Sequence, residues 1–341
     1  MENDNIPPPL IVGIVYNLKK GIVSDAEDIE AEYDSFDTIL AIKDAFAAKG
    51  ISVELLEANA DLIEKLRNTR VDIVFNIAEG TAGRGREAQV PAILNFLGVP
   101  FSGSDETTLC LALDKAITKR FLSTYNITTP AYQLIKTPEF ELDQALHFPL
   151  IVKPDSEGSS KGISDLAIVD NEEQLYSLIT RNFKLYGQSM LAEEYIKGRE
   201  FTVGILGNGS DMRVFEPLEI IYLKEDRESR IYSYNVKRNF KKYIEYSCPP
   251  LLDAVTTQKM KDIAAKIYMA LDCRDFSRID FRLSEDGTIY FIEINPLPGL
   301  APGYSDYPML AEFCGMDYQT LVVNVLNSAL KRYGMNEVRR T

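Results

Sequence analysis

Two short segments near the C-terminal end of the chain carry side chains that could hold a metal ion. Arg278 and Asp280 stand two residues apart in the first segment, Glu293 and Asn295 stand two apart in the second, and the turn signal Ser284-Glu-Asp-Gly287 lies between them. Apolar alternation on both sides of that turn predicts a β-hairpin, in which side chains two residues apart share a face. Two carboxylates and an amide oxygen would then converge beside a guanidinium. These oxygen ligands are too few to complete the coordination sphere of a metal ion. They therefore suit Mg²⁺, whose other ligands would be water and phosphate.

The opposite face of the same hairpin has the composition of a core. By strict alternation, Ile279 and Phe281 would pack with Tyr290, Ile292 and Ile294. This pattern predicts one buried face and one face that is open to a ligand.

A second group of candidate residues could bind phosphate. The predicted strand 150–153 ends in Lys153-Pro154 and leads to the loop Glu157-Gly-Ser159-Ser160-Lys-Gly162. Backbone N–H groups and two hydroxyls of such a loop can cover phosphates, while Lys153 supplies a point charge. Lys115 opens a predicted helix. Taken singly, the loop could equally be a flexible hairpin tip and Lys115 a surface lysine, because neither the P-loop pattern nor a complete G-x-G-x-x-G is present.

A third segment could receive a nucleoside. The predicted strand 190–195 places Glu193 and Tyr195 on one side, and a turn at Lys197-Gly198 leads to Glu200. Apolar walls and free backbone at such a junction suit an adenine, and Glu200 could accept hydrogen bonds from a ribose. Read alone, the segment is also an ordinary hairpin with a solvated glutamate.

The elements that must position these residues fall into three segments. Up to residue 102, strands alternate with helices, which predicts a parallel sheet covered on both faces. The predicted strands there are 10–16, 51–56, 71–77 and 99–102, and the predicted helices are 38–49, 61–67 and 87–97. We therefore expect an open α/β domain at 1–102, a small α+β domain at 103–193 and a larger, mainly antiparallel α+β domain at 194–341.

Composition restricts the partners. The net charge of −14 disfavours nucleic acid or an anionic membrane as the main partner, because both bind preferentially to basic protein surfaces. The four cysteines show no metal or redox spacing, the N-terminus lacks the basic start of a signal peptide, and no apolar run approaches the roughly 20 residues of a membrane span. We expect a cytoplasmic protein that acts on small molecules.

The candidate segments follow one another in an order that carries more information than any one of them. They are Asp114-Lys115, Ile151-Val-Lys153-Pro154 with Glu157-Gly-Ser159-Ser160, Glu200-Phe-Thr-Val203, Arg278-Ile-Asp280, and Glu293-Ile-Asn295 with Pro298-Gly299. In this order the chain resembles the ATP-grasp superfamily and, within it, the D-alanine–D-alanine ligase family. The resemblance runs from roughly residue 95 to residue 325, and it implies an ATP-grasp fold.

The resemblance also implies a reaction and a set of roles. A substrate carboxylate would attack the γ-phosphate of ATP, and an amine would then attack the acyl phosphate, which releases ADP and phosphate. The cofactors would be ATP and two Mg²⁺ ions, with Mn²⁺ as a substitute. Residues implied to bind ATP are Lys115, Lys153, Glu157, Ser159, Ser160, Glu193, Tyr195, Ile196 and Glu200. Those implied to bind metal are Asp280, Glu293 and Asn295, and those implied to act on the transferred groups are Arg278, the N–H of Gly299 and Lys237.

This sequence departs from the family pattern where the donor amino acid would lie. Glu79 stands about where the family has a histidine, Arg238 replaces a loop tyrosine, and the serine that follows Pro-Gly in the family falls on Tyr304, with Ser305 next. The family glutamate that grips the donor ammonium has no clear match, although Glu32 and Asp34 are nearby. Such exchanges should alter selectivity. We therefore expect a donor other than, or broader than, D-alanine.

Several alternatives stay open at this stage. Arg84, Arg86 and Arg238 could pair with an acidic donor, or they could be solvated surface charge. The chain could also be an ATP-grasp phosphotransferase or an ATP-binding protein without catalysis. Relatives that dimerise through the first domain suggest a homodimer by analogy alone.

Overall fold

Three sheets follow one another along the chain. The computed structural model describes residues 9–21, 32–157, 167–223 and 240–339. The sheets fall in the three expected segments, with one strand running a single residue past residue 193. The mixed α/β and α+β class is therefore confirmed, while the domain boundaries stay a prediction.

The first sheet is parallel and has the order β2-β1-β3. Its strands are β1 (Ile11–Tyr16), β2 (Ser52–Glu57) and β3 (Ile73–Asn76). Its helices are α1 (Phe36–Ala47), α2 (Leu62–Asn68) and α3 (Gln89–Leu97), the last entered through a 3₁₀ turn at Arg86–Ala88. The expected strand 99–102 was wrong, because only Phe101 bridges to β3 before the chain turns away at Gly103, whose φ is +88°.

The second sheet is antiparallel and has the order β4-β7-β5-β6. Two helices lead into it, α4 (Glu106–Leu113) and α5 (Lys115–Ser123). Its strands are β4 (Tyr132–Ile135), β5 (Leu150–Pro154), β6 (Ile168–Val169) and β7 (Met190–Glu194), and α6 (Glu172–Tyr186) packs on it.

The third sheet is also antiparallel, with the order β11-β10-β8-β12-β13 and a short strand β9 beside β8. Its strands are β8 (Gly198–Leu206), β9 (Arg213–Val214), β10 (Leu218–Tyr222), β11 (Ile244–Ser247), β12 (Phe276–Ser284) and β13 (Ile289–Asn295), with a 3₁₀ turn at Gly209–Asp211. The helices of this segment are α7 (Phe240–Tyr243), α8 (Ala254–Ala270), α9 (Asp306–Phe313) and α10 (Tyr318–Arg332).

The predicted hairpin is formed by β12 and β13, but its core face differs from strict alternation. Ile279, Phe281 and Ile294 are buried as expected, whereas the other core residues of β13 are Ile289 and Phe291 rather than Tyr290 and Ile292. The reason is a β-bulge. Asp280 pairs with Glu293 and Phe281 with Phe291, which leaves Ile292 without a partner and reverses the alternation at that point.

One hydrophobic core joins the first and third segments. Helix α10 packs against α1, and buried residues of β1, α1, α9 and α10 belong to a single cluster. This packing places the end of β13 opposite the loop that follows β1, with a cavity between them. Within the described ranges, no helix has both the length and the apolar character of a membrane span.

Candidate active site

The hairpin brings the four predicted polar side chains together on one face. Arg278 lies directly across from Asn295, and Asp280 directly across from Glu293. The guanidinium of Arg278 makes a two-pronged contact with Asp280, with Nε 3.1 Å from Oδ1 and Nη2 2.9 Å from Oδ2. The geometric expectation for Arg278, Asp280, Glu293 and Asn295 is therefore met.

Electrostatics at this face fit a cation. Burial raises the pKa of Asp280, and the neighbouring Glu293 raises it further against the opposing effect of Arg278. Burial also acts to raise the pKa of Glu293, but Lys115, Lys153 and Arg278 outweigh it and lower that pKa below its ordinary value. Two half-buried carboxylates thus lie side by side, and a bound cation would relieve their repulsion.

The donor set at this face consists of oxygen atoms only. Asn295 Oδ1 accepts a hydrogen bond from the N–H of Leu297 at 3.1 Å, which fixes its direction and leaves a lone pair for a metal ion. Throughout the described part of the chain, no three acidic, histidine or cysteine side chains are grouped so that they could hold a metal ion. A metal here would depend on Asp280, Glu293 and Asn295 together with oxygens of a bound nucleotide, a set that suits Mg²⁺.

Arg278 is fixed by a second carboxylate that the sequence patterns did not single out. Its Nη1 lies 3.4 Å from Asp306 Oδ2, and Asp306 in turn accepts a hydrogen bond from the Tyr246 hydroxyl at 2.9 Å. Arg278 is buried, and its pKa is raised by Asp280 and Asp306 even though burial acts to lower it. The guanidinium is therefore a permanent, positioned charge.

The two predicted phosphate lysines are both close enough to Glu293 to lower its pKa. Asp114 caps the N-terminus of α5 by accepting from the N–H of Ile117 at 2.8 Å, which places Lys115 at the first helical position. Lys115 Nζ lies 3.9 Å from Glu293 Oε2 and donates to the carbonyl of Glu157. The Glu157 carboxylate accepts from Gln188 Nε2 at 2.6 Å.

Glu193 lies in the segment that the resemblance implies for adenine, and its side chain is paired within the chain. Its carboxylate is buried, with Oε1 2.7 Å from Lys153 Nζ and Oε2 3.0 Å from Lys119 Nζ. Burial acts to raise the pKa of Glu193, but the two lysines lower it to about 2. The side chain is thus occupied in holding Lys153. Lys119, which the sequence analysis missed, is recognisable only by its place one helical turn after Lys115.

A third group of contacts surrounds Arg282, another residue that the sequence analysis missed. Arg282 Nη1 lies 3.2 Å from Glu200 Oε2, its Nη2 lies 3.2 Å from the Tyr195 hydroxyl, and its guanidinium stacks over the Tyr195 ring at 4.7 Å. Tyr222 donates to Glu200 at 2.8 Å. Ile196 is half-buried in the link between β7 and β8. The spacing of two that links Arg278 and Asp280 also reaches Arg282 and could have indicated it.

A cavity of about 380 Å³ lies between the hairpin end and the first segment. One wall contains Arg278, Asn295, Gly299, Tyr304 and Ser305, and the other contains Lys19, Glu32, Asp34, Asp37 and Glu79. The substrate candidates Glu79, Tyr304 and Ser305 are therefore brought together. A Cβ at Gly299 would lie 2.9 Å from Ser305 Oγ, so a larger residue there would require that hydroxyl to move. Ser159, Ser160, Lys237 and Arg238 lie outside the described residues.

Two of the arginines suggested for an acidic donor are already paired within the chain. Arg86 is buried, its Nε lies 3.0 Å from Glu32 Oε2, and its Nη2 lies 3.1 Å from Glu157 Oε2. Arg84 Nε lies 2.7 Å from Asp114 Oδ2. Neither arginine lines the cavity. These contacts do not support binding of the donor, and the suggestion stays a prediction for these two residues.

Comparison with known proteins agrees with this geometry. A model of the D-ala D-ala ligase C-terminus matches residues 121–327. The chain is 33% identical to a D-alanine–D-alanine ligase of Thermotoga maritima over 295 residues, 86% of this chain and 92% of the relative. It is 30% identical to one of Bordetella avium over 313 residues, 91% of this chain and 94% of the relative.

Solved structures of the same overall fold include a D-alanine–D-alanine ligase of Bacillus anthracis complexed with ATP. Its TM-score is 0.75 at 23% identity, covering 95% of this chain and 99% of that one. The VanG D-Ala:D-Ser ligase of Enterococcus faecalis has a TM-score of 0.73 at 20% identity, covering 94% and 99%. At these identities the likeness concerns the fold.

Proposed function

This chain belongs to the D-alanine–D-alanine ligase family of ATP-grasp enzymes, and from that premise we propose how its residues carry out the reaction. Family membership makes the protein an ATP-dependent enzyme that forms carbon–nitrogen bonds. We propose that a carboxylate donor is activated as an acyl phosphate and then joined to the amine of an amino acid. The donor is other than, or broader than, D-alanine.

Nucleotide binding is assigned to the side chains that lie where the second and third sheets meet. Lys115 and Lys153 would contact the phosphates, and the group of Glu200, Tyr195 and Arg282 would face the nucleoside. Asp280, Glu293 and Asn295 would hold Mg²⁺, which neutralises charge on the transferred phosphoryl group when it is bound. The oxygen-only donor set and the raised pKa of Asp280 support this assignment.

The observation that carries the proposal is the position of the Arg278 guanidinium and the number of its N–H groups that remain for a ligand. Three of its five N–H groups are directed to Asp280 and Asp306, which leaves two for a ligand, and the residue lines the cavity beside Gly299. A positioned guanidinium and a backbone N–H form the kind of site that stabilises an oxyanion. A protein that only binds ATP has no need of one.

The proposed steps follow from these positions. An oxygen of the donor carboxylate attacks the γ-phosphorus, the bond to the β-bridging oxygen breaks, and ADP leaves. The unprotonated amine of the acceptor then attacks the acyl carbon, and the negative oxygen of the tetrahedral intermediate is held by Arg278 and Gly299. The carbon–oxygen bond to phosphate breaks, phosphate leaves, and the nitrogen loses a proton to solvent as the amide forms.

Hydroxylamine trapping tests this chemistry. An acyl phosphate gives a hydroxamate in the presence of ATP and donor, whereas a phosphotransferase gives a stable phosphorylated product without hydroxamate. ADP release that stays at background across a panel of carboxylates and amines would instead indicate an ATP-binding protein without catalysis.

Donor identity is tested separately by ADP release and product mass across amino acids of both configurations. The replacement of the family histidine by Glu79 at the cavity wall supports an altered donor. High turnover with D-alanine alone, and with no other donor, would contradict it.

A further inference from the structure

The cavity wall opposite Arg278 is strongly acidic. Its carboxylates are Glu32, Asp34, Asp37 and Glu79, while the cations that line the cavity are Lys19 and Arg278. The volume of about 380 Å³ lies at the small end of the range of roughly 300–1,000 Å³ for ligand pockets. The cavity therefore suits one small amino acid, and its charge favours a cationic one.

The carboxylates of this wall differ in how they are compensated. Glu32 is neutralised by Arg86, which is also bound to Glu157. Asp34 and Glu79 make no side-chain hydrogen bond or ion pair with any of the residues that the structure describes. Lys19 lowers the pKa of Asp34 without pairing with it.

The segments that carry Asp34 and Glu79 are held next to each other. The Tyr33 hydroxyl donates to the carbonyl of Gly80 at 3.3 Å, so residues 33–34 and 79–80 are joined across the wall. Burial raises the pKa of Asp34 to about 7, and burial together with Glu87, Glu32 and Asp34 raises that of Glu79 well above its ordinary value. For both carboxylates, burial and neighbouring negative charge outweigh the nearest cation, which is Lys19 for Asp34 and Arg86 for Glu79.

A count of charges then restricts the donor. If the donor carboxylate lies at Arg278 and Gly299, as proposed above, its α-ammonium reaches toward the acidic wall. Asp37 is exposed to solvent, whereas Asp34 and Glu79 are half-buried and unpaired, and one ammonium can compensate only one of these two. A second cationic group on the donor would compensate the other, whereas the methyl group of alanine would leave it half-buried and unpaired.

We propose that the donor is an amino acid with a second cationic group, such as a short diamino acid, and that Asp34 and Glu79 bind its two ammonium groups. This inference rests on the ligase reaction proposed above and assigns its substrate class.

The test compares donors and variants. Rates of ADP release and product masses are measured with D- and L-2,4-diaminobutyrate, D- and L-ornithine and both alanines as donors, with D-alanine as acceptor. We expect kcat/KM for one diamino acid to exceed that for alanine by at least about tenfold. This factor corresponds to the weakest hydrogen bonds that charged groups make. Asp34→Asn and Glu79→Gln should each lower this kcat/KM by about 10- to 100-fold. Asp44→Asn, an exposed carboxylate on α1 away from the cavity, is the matched control and should leave the rate unchanged.

Binding to the wild-type protein gives a second readout that does not depend on how the variants fold. 2,4-Diaminobutyrate should raise the melting temperature more than alanine does. Faster turnover of alanine than of every diamino acid, or a Glu79→Gln variant that keeps the full preference, would overturn the proposal and leave the ligase reaction intact. Absence of ADP release and hydroxamate with all donors would instead overturn the ligase reaction itself.

Discussion

The carboxylate of Glu193 lies between two buried lysines, so its removal should cost far more stability than removal of one lysine. Its oxygens are 2.7 Å from Lys153 Nζ and 3.0 Å from Lys119 Nζ, and all three side chains are almost fully buried. We expect Glu193→Gln to destabilise the protein strongly and Lys119→Met to leave its stability almost unchanged.

The expected magnitudes follow from the charges. Burial acts against the charge of Glu193, yet the lysines lower its pKa from 4.5 to about 2, which corresponds to about 3 kcal/mol in favour of the carboxylate. Burial lowers the pKa of Lys119 from 10.5 to about 8 although Glu193 opposes it, so below pH 8 the charge of Lys119 costs a similar amount, about 3 kcal/mol. Lys119→Met removes this cost together with the contacts of Lys119 to Glu193, Thr129 and the Ile292 carbonyl, and Lys153 remains beside Glu193, so we expect a small net change. In Glu193→Gln two buried ammonium groups lose their counter-ion, which costs about 3–5 kcal/mol.

Thermal unfolding at pH 7.5 measures the difference. For 341 residues, an unfolding entropy of about 2.1 cal/mol/K per residue makes 1 kcal/mol equal to roughly 1.4 °C. Glu193→Gln should therefore lower the melting temperature by about 4–7 °C, and Lys119→Met should change it by less than about 2 °C. Lys184→Met, at an exposed position of α6, controls for the loss of a lysine. A larger drop for Lys119→Met than for Glu193→Gln would refute the reasoning.

Three further outcomes are expected. Arg278→Lys should lower kcat by about 10²–10³ with little change in the KM for ATP, because it removes an oxyanion contact, and a kcat within twofold of wild type would disprove that role. Asp280→Asn and Glu293→Gln should each raise the Mg²⁺ concentration that gives half-maximal ADP release, and an unchanged Mg²⁺ titration would remove both from the metal site. The pKa of Asp34 is about 7 in the folded state and near 3.8 in the unfolded state, so between these values the folded state holds the proton more strongly. The contribution of Asp34 to the free energy of unfolding therefore falls as pH rises from 4 to 7. A bound cation relieves that loss, so 2,4-diaminobutyrate should raise the melting temperature more at pH 8 than at pH 6, and the reverse order would argue against Asp34 as its ligand.

The hairpin could be predicted because two independent local signals agree there. A turn sequence marks the loop, and the period of two places Arg278 with Asp280 and Glu293 with Asn295. The pairs Arg278–Asn295 and Asp280–Glu293 depend in addition on the bulge. The bulge could not be predicted, since Ile, Phe and Tyr fit either face of a strand equally well. The core residues of β13 were therefore misassigned by one position.

Charge pairing was the least predictable feature of the site. Arg86 occurs in a loop with glycines and other charges, a pattern typical of solvated surface, and its partner Glu32 is 54 residues away in sequence. Lys119 has no local mark that separates a buried lysine from a surface one. Such pairs depend on the tertiary arrangement, so the sequence gives candidate residues without giving their partners.

The bulge at Ile292 connects the hairpin to the buried charge pairs. It lets Phe291 enter the core while Glu293 and Asn295 face the site, and the Ile292 carbonyl, left out of the regular pairing, lies 3.4 Å from Lys119 Nζ. Lys119 holds Glu193, and Glu193 holds Lys153 on the second sheet. One chain of contacts thus joins the strand proposed to hold the metal to the lysine proposed to bind phosphate, across two sheets. Since a buried ion pair contributes little net stability, the consequence of this chain is the relative position of two groups that we propose meet at the same phosphate.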